Sequence, residues 1–324
     1  MAIDSSIPTA APPEKLGMSR DHLAVMLGLL FLLVAAPFLV YPLLVIKILC
    51  FALFACALNL LLGYVGLLSF GHAAYFGMAS YAAAHAAKIW GFTPELAILF
   101  GAIVAALLGA VFGALAVRRQ GIYFAMVTLA FAQMVYFFAL QAPFTGGEDG
   151  IQQVPRGFLF GLLSLADDRA LYWFVLALFM LSMLALHRII HSPFGQTLKA
   201  IRENEPRATS LGYRVNQYKF LAFVLSAFFA GLAGATKAIA FQLASLTDVY
   251  WTMSGEVVLM TLIGGVHTFI GPAVGAALVV VLQNYFASFG DWVTTIQGVV
   301  FVVCVLLFRE GIVGSISKLL KRPL

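Results

Sequence analysis

Apolar residues run along this chain in long stretches, and polar residues gather between them. Ten apolar segments are legible, at roughly residues 23–41, 43–63, 65–87, 95–116, 121–141, 170–187, 219–243, 254–266, 270–288 and 292–308. Most reach the ~20 residues that a helix needs to cross a ~30 Å hydrocarbon layer. The eighth segment is short, and Gly264-Gly265 ends it. The pattern predicts an all-α integral membrane protein: a polytopic helical bundle of about ten segments, some short or interrupted. Three regions follow. Residues 1–22 are expected to form a polar, disordered cytoplasmic tail, 23–308 a transmembrane domain with a polar cytoplasmic loop at 188–219, and 309–324 a second cytoplasmic tail. The run Leu23 to Tyr41 is too long for a cleaved signal core and reads as a retained first span.

Composition strengthens this picture. Hydrophobic residues make up 62% of the chain and charged residues 10%, against about 45–50% and about 25% in soluble domains. The mean hydropathy is +0.99, so there is too little polar surface to coat a water-soluble globule. The net charge of +5 does not form a stripe suited to nucleic acid; the bases sit in short loops. Cys50, Cys56 and Cys304 lie inside apolar runs without ligand spacing and read as packing residues.

Loop charge sets the orientation. Arg118 and Arg119 follow the fourth segment, the stretch 188–219 carries a net +4, and the tail from 309 a net +3. The loop 142–169 carries a net −2. The positive-inside rule puts the first three in the cytoplasm and the fourth outside. Ten crossings with both termini inside satisfy all four placements, and a re-entrant hairpin at the eighth segment would change the count by two and keep both ends inside. The halves also echo one another: 66–83 and 262–278 each carry Gly-rich backbone around a histidine, His72 or His267, followed by glycines at 77 or at 271 and 275. Repeats of interrupted helices meeting near the midplane are a common transporter plan.

The stretch His191 to Lys219 is the most informative. Ser192-Pro193 is a helix start signal, and Phe194, Leu198 and Ile201 fall at helical spacing with Lys199, Arg202 and Glu203 between them. Pro206 breaks this helix, and a second turn from Ala208 to Leu211 closes at Gly212. A short amphipathic helix of this kind either lies among lipid headgroups or docks its apolar residues in a groove of a soluble partner.

The string SPFGQTLKAIRENEPRATSLGY within that stretch resembles the coupling loop of bacterial ATP-binding-cassette importers, specifically the M-type branched-chain amino acid permease subunits. Three more stretches carry the resemblance: GYVGLLSFGHAAYFGMASYAAA at 63–84, GIYFAMVTLAFAQ at 121–133 with TGGEDGI at 145–151, and LIGGVHTFIGPAVGAAL at 262–278. The similarity spans roughly residues 40–315. The general E-A-A-x-x-x-G pattern of such importers is only partly kept: Ala208 and Gly212 hold its spacing, but Pro206 stands where its glutamate would be and Glu205 comes one place early. The resemblance implies a permease in the bacterial inner membrane that imports amino acids. It implies a second related permease, two cytoplasmic ATP-binding subunits and a periplasmic solute-binding protein as partners. ATP and Mg would be bound by the ATPases, with no cofactor in this chain. Phe194, Leu198, Arg202, Glu203, Glu205, Ala208 and Gly212 would then contact the ATPase. Relatives of this family also handle other amino acids, urea or amides, and aromatic acids.

Other polar positions have competing readings. Ser69, Gly71, His72, Gly77, Thr128, Gln133, Gly265 and His267 either line a translocation path or serve tight packing and interhelical bonds. Thr145, Gly146, Gly147 and Glu148 either contact a solute-binding protein or form a tight acidic turn on a flexible outer loop. Lys47 and Lys237 are expected to snorkel to segment ends, and Glu256 to complement a helix dipole. There is no phosphate-binding loop, H-E-x-x-H or G-x-S-x-G, so no enzyme activity is expected of this chain. Two rivals stay open: an ion-coupled secondary transporter, which the near absence of mid-span charges disfavours, and an intramembrane enzyme, for which no nucleophile–base pair is visible.

Overall fold

The computed structural model describes residues 28, 33–38, 40–161, 163–266, 268–287, 290, 292–307 and 311–320. The apolar runs become helices: α1 Pro42–Leu62, α2 His72–Lys88, α3 Pro94–Ala116, α4 Gly121–Gln141, α5 Asp168–Ile190, α8 Val215–Phe241, α9 Trp251–Gly264, α10 Gly271–Phe286 and α11 Trp292–Leu307. Two short helices, α6 Pro193–Glu203 and α7 Glu205–Ser210, lie between α5 and α8, and α12 Gly311–Leu320 closes the chain. Five helices are long and apolar enough to cross a membrane: α1, α3, α4, α5 and α8. Much of the predicted first segment, 23–41, lies outside the described residues; within it, the Leu33 carbonyl accepts a bond of 2.5 Å from the Tyr172 hydroxyl of α5.

The third predicted segment, 65–87, is only partly helical. Helix α2 begins at His72, and 63–71 is irregular backbone, because Gly66 takes a φ of +81° that ends any continuous helix. At 17 residues, α2 spans about 25 Å, short of the hydrocarbon thickness. Irregular backbone inside a membrane is tolerated only where protein surrounds it; Gly63, Tyr64, Val65, Leu67 and Ser69 of this segment are buried, whereas Gly66 is exposed.

Helix α8 is the axis of the bundle and packs on α1, α2 and α3. Between helices in lipid no hydrophobic force acts, so close packing of small residues must hold them. That is what the sequence supplies. A Cβ on Gly234 would lie 2.0 Å from the Phe76 carbonyl oxygen, one on Gly231 2.2 Å from the Ala105 Cβ, and one on Gly109 2.4 Å from the Ala227 Cβ. Around this seam sit buried aromatics: the Phe54 and Phe76 rings stack at 4.4 Å, and Tyr75 meets Phe223 edge-on at 5.7 Å.

The ends of the helices sort into two sides. On one, Arg202 of α6 meets Gly63 at the end of α1, and the end of α3 shares a shallow cleft with the start of α8, lined by Val117, Arg118, Asn216, Gln217 and Phe220. On the other, short strands β1 Ile151–Gln152 and β4 Leu243–Ala244 pair antiparallel, as do β2 Phe158–Leu159 and β3 Leu163–Ser164. There Arg156 bridges Asp168 at the start of α5 (2.7 Å) and the Ala240 carbonyl near the end of α8 (3.0 Å).

Gly234→Ala is expected to lower the thermal unfolding midpoint in detergent, by the equivalent of about 1–3 kcal/mol of overpacking. Gly255→Ala, where a Cβ meets nothing within 4 Å, should leave the midpoint unchanged or raise it, since Ala is the better helix former. Equal midpoints for the two variants would contradict the close seam.

Candidate functional site

Three irregular segments enter the bundle: 63–71, 243–250 and 265–270. Each is held by polar side chains from neighbouring helices. The loop after α1 places Ser69 where its hydroxyl accepts from the Gly71 N–H (3.2 Å), while Thr128 Oγ1 of α4 accepts from the Phe70 N–H (3.2 Å). The Ala73 N–H in the first turn of α2 donates to Ser254 Oγ of α9 at 2.8 Å. Those amides have no intrahelical acceptor, so hydroxyls from other elements satisfy them.

His72 is fully buried. Its Nε2 lies 2.8 Å from Ser226 Oγ and its Nδ1 3.0 Å from Ser69 Oγ. Ser226 already donates its proton to the Ala57 carbonyl (2.5 Å), so it accepts from His72. The network therefore assigns a neutral imidazole with the proton on Nε2 and Nδ1 accepting from Ser69. This is a latch joining α1, α2 and α8. Of the path candidates, Ser69, Gly71, His72, Gly77 and Thr128 are all buried among the chain's own helices. Gly77 has the Val249 Cγ2 2.4 Å from its missing Cβ, and Gly71 has the Thr128 oxygen at 2.9 Å. In this arrangement they pack and bond; they offer no open wall. Gln133 of α4 is half-buried, Gly265 is buried at φ +121°, and His267 lies outside the described residues.

The segment 265–270 is the tip of a hairpin formed by α9 and α10. Glycines make the hairpin tight: a Cβ on Gly275 would lie 1.9 Å from the Met260 carbonyl oxygen, and one on Gly264 1.9 Å from that of Gly271. The tip reaches the last turn of α1. Asn59 Nδ2 donates to the Thr268 carbonyl at 3.1 Å, and a Cβ on Gly63 would lie 2.2 Å from the Val266 carbonyl oxygen. Thr268 Oγ1 accepts from the Gly271 N–H (3.1 Å) and donates to the Gly265 carbonyl (2.9 Å). Sequence reasoning missed Asn59, Ser226 and Ser254; a single polar residue inside an apolar run was the signal that could have found them.

At the same junction the two short helices α6 and α7 attach. Ser192 caps α6 by accepting from the Gly195 N–H (3.4 Å), and Asn204 caps α7 by accepting from the Arg207 N–H (3.0 Å). The break falls at Asn204, and Pro206 sits in the first turn of α7, where its missing N–H costs nothing. Gly212, at φ +88°, ends α7 with the Tyr213 N–H reaching back 3.2 Å to the Ala208 carbonyl. The side chains expected to dock with a partner divide in two. Leu198 and Ala208 are buried, Phe194 stacks on Tyr218 of α8 at 5.7 Å, and Glu205 pairs with Lys219 at 2.6 Å. These four contacts tie the helix pair to its own bundle, with Phe194 and Glu205 still partly exposed. Exposed residues of the pair and its exit include Arg202, Glu203, Arg207, Leu211, Gly212, Tyr213 and Arg214, with Leu211 70% exposed. Arg202 does something else: its guanidinium donates to the Gly63 carbonyl, and its side-chain Cγ lies 3.0 Å from where a Cβ on Gly66 would be.

The segment 243–250 carries a charge that sequence reasoning left out. Asp248 is 1% exposed and accepts both oxygens' worth of contact from Lys237 of α8, at 2.5 and 2.6 Å. Lys237 therefore does not snorkel; a buried carboxylate holds it inward. Glu256 is in the second turn of α9, not at its start, and accepts from Gln283 of α10 at 3.2 Å. The acidic turn is also better held than a flexible loop. Thr145 is buried and donates to the Ala139 and Ala142 carbonyls at 2.6 Å each, closing α4. Gly146 and Gly147 take φ of +78° and +61°, and only Glu148 and Asp149 beside them present exposed carboxylates. Among the described residues no group of three or more His, Cys, Asp or Glu side chains is arranged to hold a metal ion.

A family model described as branched-chain amino acid transport system / permease component matches residues 40–308. The chain belongs to that permease family. Over 287 residues the permease is 27% identical to the high-affinity branched-chain amino acid transport system permease protein LivM of Salmonella typhimurium, covering 82% of this chain and 68% of the relative. The same figures hold for LivM of Escherichia coli. A probable branched-chain amino acid transport permease protein LivM of Methanocaldococcus jannaschii is 24% identical over 58% of the permease and 54% of its own length. No solved structure matches the permease. It is a multi-pass membrane transport component, and the apolar helices agree with that membership.

Removing either partner of the Lys237–Asp248 pair leaves an uncompensated buried charge. Lys237→Met and Asp248→Asn should each destabilise the permease by about 3–5 kcal/mol, and the double variant by clearly less than the sum. Thermal denaturation of all four proteins in detergent checks this; additive losses would mean that the two groups do not act as a pair.

Proposed function

We propose that this chain is one half of the membrane channel of an ATP-binding-cassette importer for branched-chain amino acids, and that α6–α7 is the lever through which partner ATPases move it. The substrate class is supported by the names of the relatives. The mechanical part rests on one observation: Arg202 of the extra-membrane helix pair donates to Gly63, the residue at which α1 ends and two interrupted segments meet. A push on α7 is thereby delivered to the junction of α1, the loop 63–71 and the hairpin tip 265–270.

In this reading Glu203, Arg207, Leu211 and Tyr213 face the ATPase, while Phe194, Leu198, Glu205 and Ala208 keep the lever stiff. A charge on the lever would be worthless if the lever could fold away, and the Glu205–Lys219 pair with the buried Leu198 prevents that. ATP binding in two cytoplasmic subunits tilts the helices and opens the path inward, and a second permease completes the channel. A periplasmic solute-binding protein delivers the amino acid to the opposite side, where Glu148 and Asp149 are exposed. ATP and Mg belong to the ATPases in this scheme.

Ten crossings, with both termini in the cytoplasm of a bacterial inner membrane, fit the sorting of the helix ends. The basic segments 118–119 and 188–219 lie on the Arg202 side, and Gly311 at the start of α12 packs on Gly265 at the same junction, its missing Cβ 2.4 Å from the Gly265 Cα. An internal repeat is supported by the two Gly-flanked loops, 63–71 and 265–270, which meet where the missing Cβ of Gly63 lies 2.2 Å from the Val266 carbonyl oxygen and which each lead into a glycine-containing helix.

The test is reconstitution of the permease pair with its ATPases and binding protein in vesicles. Arg202→Ala should assemble and hydrolyse ATP, yet lose roughly 10–100-fold in uptake, the scale of one charged hydrogen bond. Glu203→Ala should assemble normally and also lose coupling. Full ATP-driven uptake in both would reject the lever. Collapsing the proton gradient while ATP remains should leave wild-type uptake intact; its disappearance would favour an ion-coupled carrier, a rival to which the buried charges Lys237 and Asp248 lend some weight.

A further inference from the structure

Lys47 and Glu256 are used by neither the lever nor the Lys237–Asp248 pair. Lys47 is in the second turn of α1 and Glu256 in the second turn of α9. Both are half-buried, and each lies within the electrostatic reach of the other. They do not close into an ion pair. Lys47 makes no hydrogen bond among the described residues, and Glu256 has one, from Gln283 Nε2 at 3.2 Å. That same nitrogen lies 3.4 Å from Oε1 of Gln297 on α11. Gln297 is only 9% exposed, yet its Nε2 has no partner.

This arrangement is costly. A half-buried charge without an ion-pair partner carries a desolvation cost, and an unpaired buried amide carries a further penalty. Two opposite charges on adjacent helices would relieve most of this by meeting, and they stay apart. The side chains are complementary to an occupant with one negative end and one positive end. We infer that Lys47, Glu256 and Gln297 form a recognition station for the zwitterionic backbone of an amino acid on its way through the bundle. Lys47 and the free Gln297 amide take the carboxylate, and Glu256, oriented by Gln283, takes the ammonium. The face of α1, α9, α10 and α11 that carries them is then a wall of the water-filled path, not a lipid-facing surface. Lys237 and Asp248 stand nearby but are spent on each other, so they set a neutral background without competing for the ligand.

The inference rests on the importer reading, and the experiment separates the two. In vesicles holding the full complex, Lys47→Gln and Glu256→Gln should each import leucine roughly tenfold slower or worse, as expected when one charged partner is removed. ATP hydrolysis stimulated by leucine-loaded binding protein should persist, and Lys47→Arg should restore most uptake. Uptake at the wild-type rate in both neutral variants would overturn the station. Failure of binding protein to stimulate hydrolysis in the wild-type complex would instead strike the importer reading. Independently of transport, a Lys47→Cys variant should react with a water-soluble thiol reagent, and saturating leucine with loaded binding protein should slow that reaction. Absence of labelling, or labelling that leucine does not alter, would equally overturn the station.

Discussion

The absence of a side chain at Gly63 is the constraint around which this permease is arranged. Only a bare backbone admits the Val266 carbonyl to the place where a Cβ would stand, 2.2 Å away, while the residue's own carbonyl accepts from Arg202. Helix α1, the loop 63–71, the hairpin tip and the extra-membrane helix α6 all meet there. Displace one, and the others must move or lose a bond that nothing in lipid replaces.

The same economy explains the polar residues inside the bundle. Interrupted helices free backbone groups at membrane depth, where each unsatisfied group costs several kcal/mol. Hydroxyls and amides from neighbouring helices satisfy them: Thr128 for Phe70, Ser254 for Ala73, Asn59 for Thr268. His72, with both ring nitrogens bonded, ties the most irregular of these segments to α8. The glycine seam of α8 on α2 and α3 then supplies a stiff body against which the junction can work. The glycine seam and the bonds that tie α6 and α7 to the bundle give both parts the stiffness that the proposed lever requires.

Helix existence and the extra-membrane helix pair were legible in the sequence because both depend on local patterning. Apolar run length found the helices, five of which are long and apolar enough to cross a membrane, and Ser192, Pro193 and Gly212 found the ends of α6–α7 through capping chemistry that acts within a few residues. What the sequence could not carry was direction. The apolar residues Phe194 and Leu198 look the same whether they face a partner or the chain's own bundle; Leu198 is buried, and Phe194, partly exposed, stacks on Tyr218 of α8. Lys237 looks like a snorkelling lysine until Asp248, 11 positions on and brought back into the bundle by an irregular segment, is found against it. Pairings between Asn59 and Thr268, or Arg202 and Gly63, join residues 209 and 139 positions apart, and no local pattern announces them.

The account turns on whether force from the lever reaches the Gly63 junction through Arg202. Hydrogen exchange of the amides in 63–71 and 265–270, measured in the assembled transporter with and without a non-hydrolysable ATP analogue, tests this most directly. The account predicts that the analogue changes protection of both segments in the wild type and of neither in Arg202→Ala. An identical nucleotide-dependent change in the variant would contradict it.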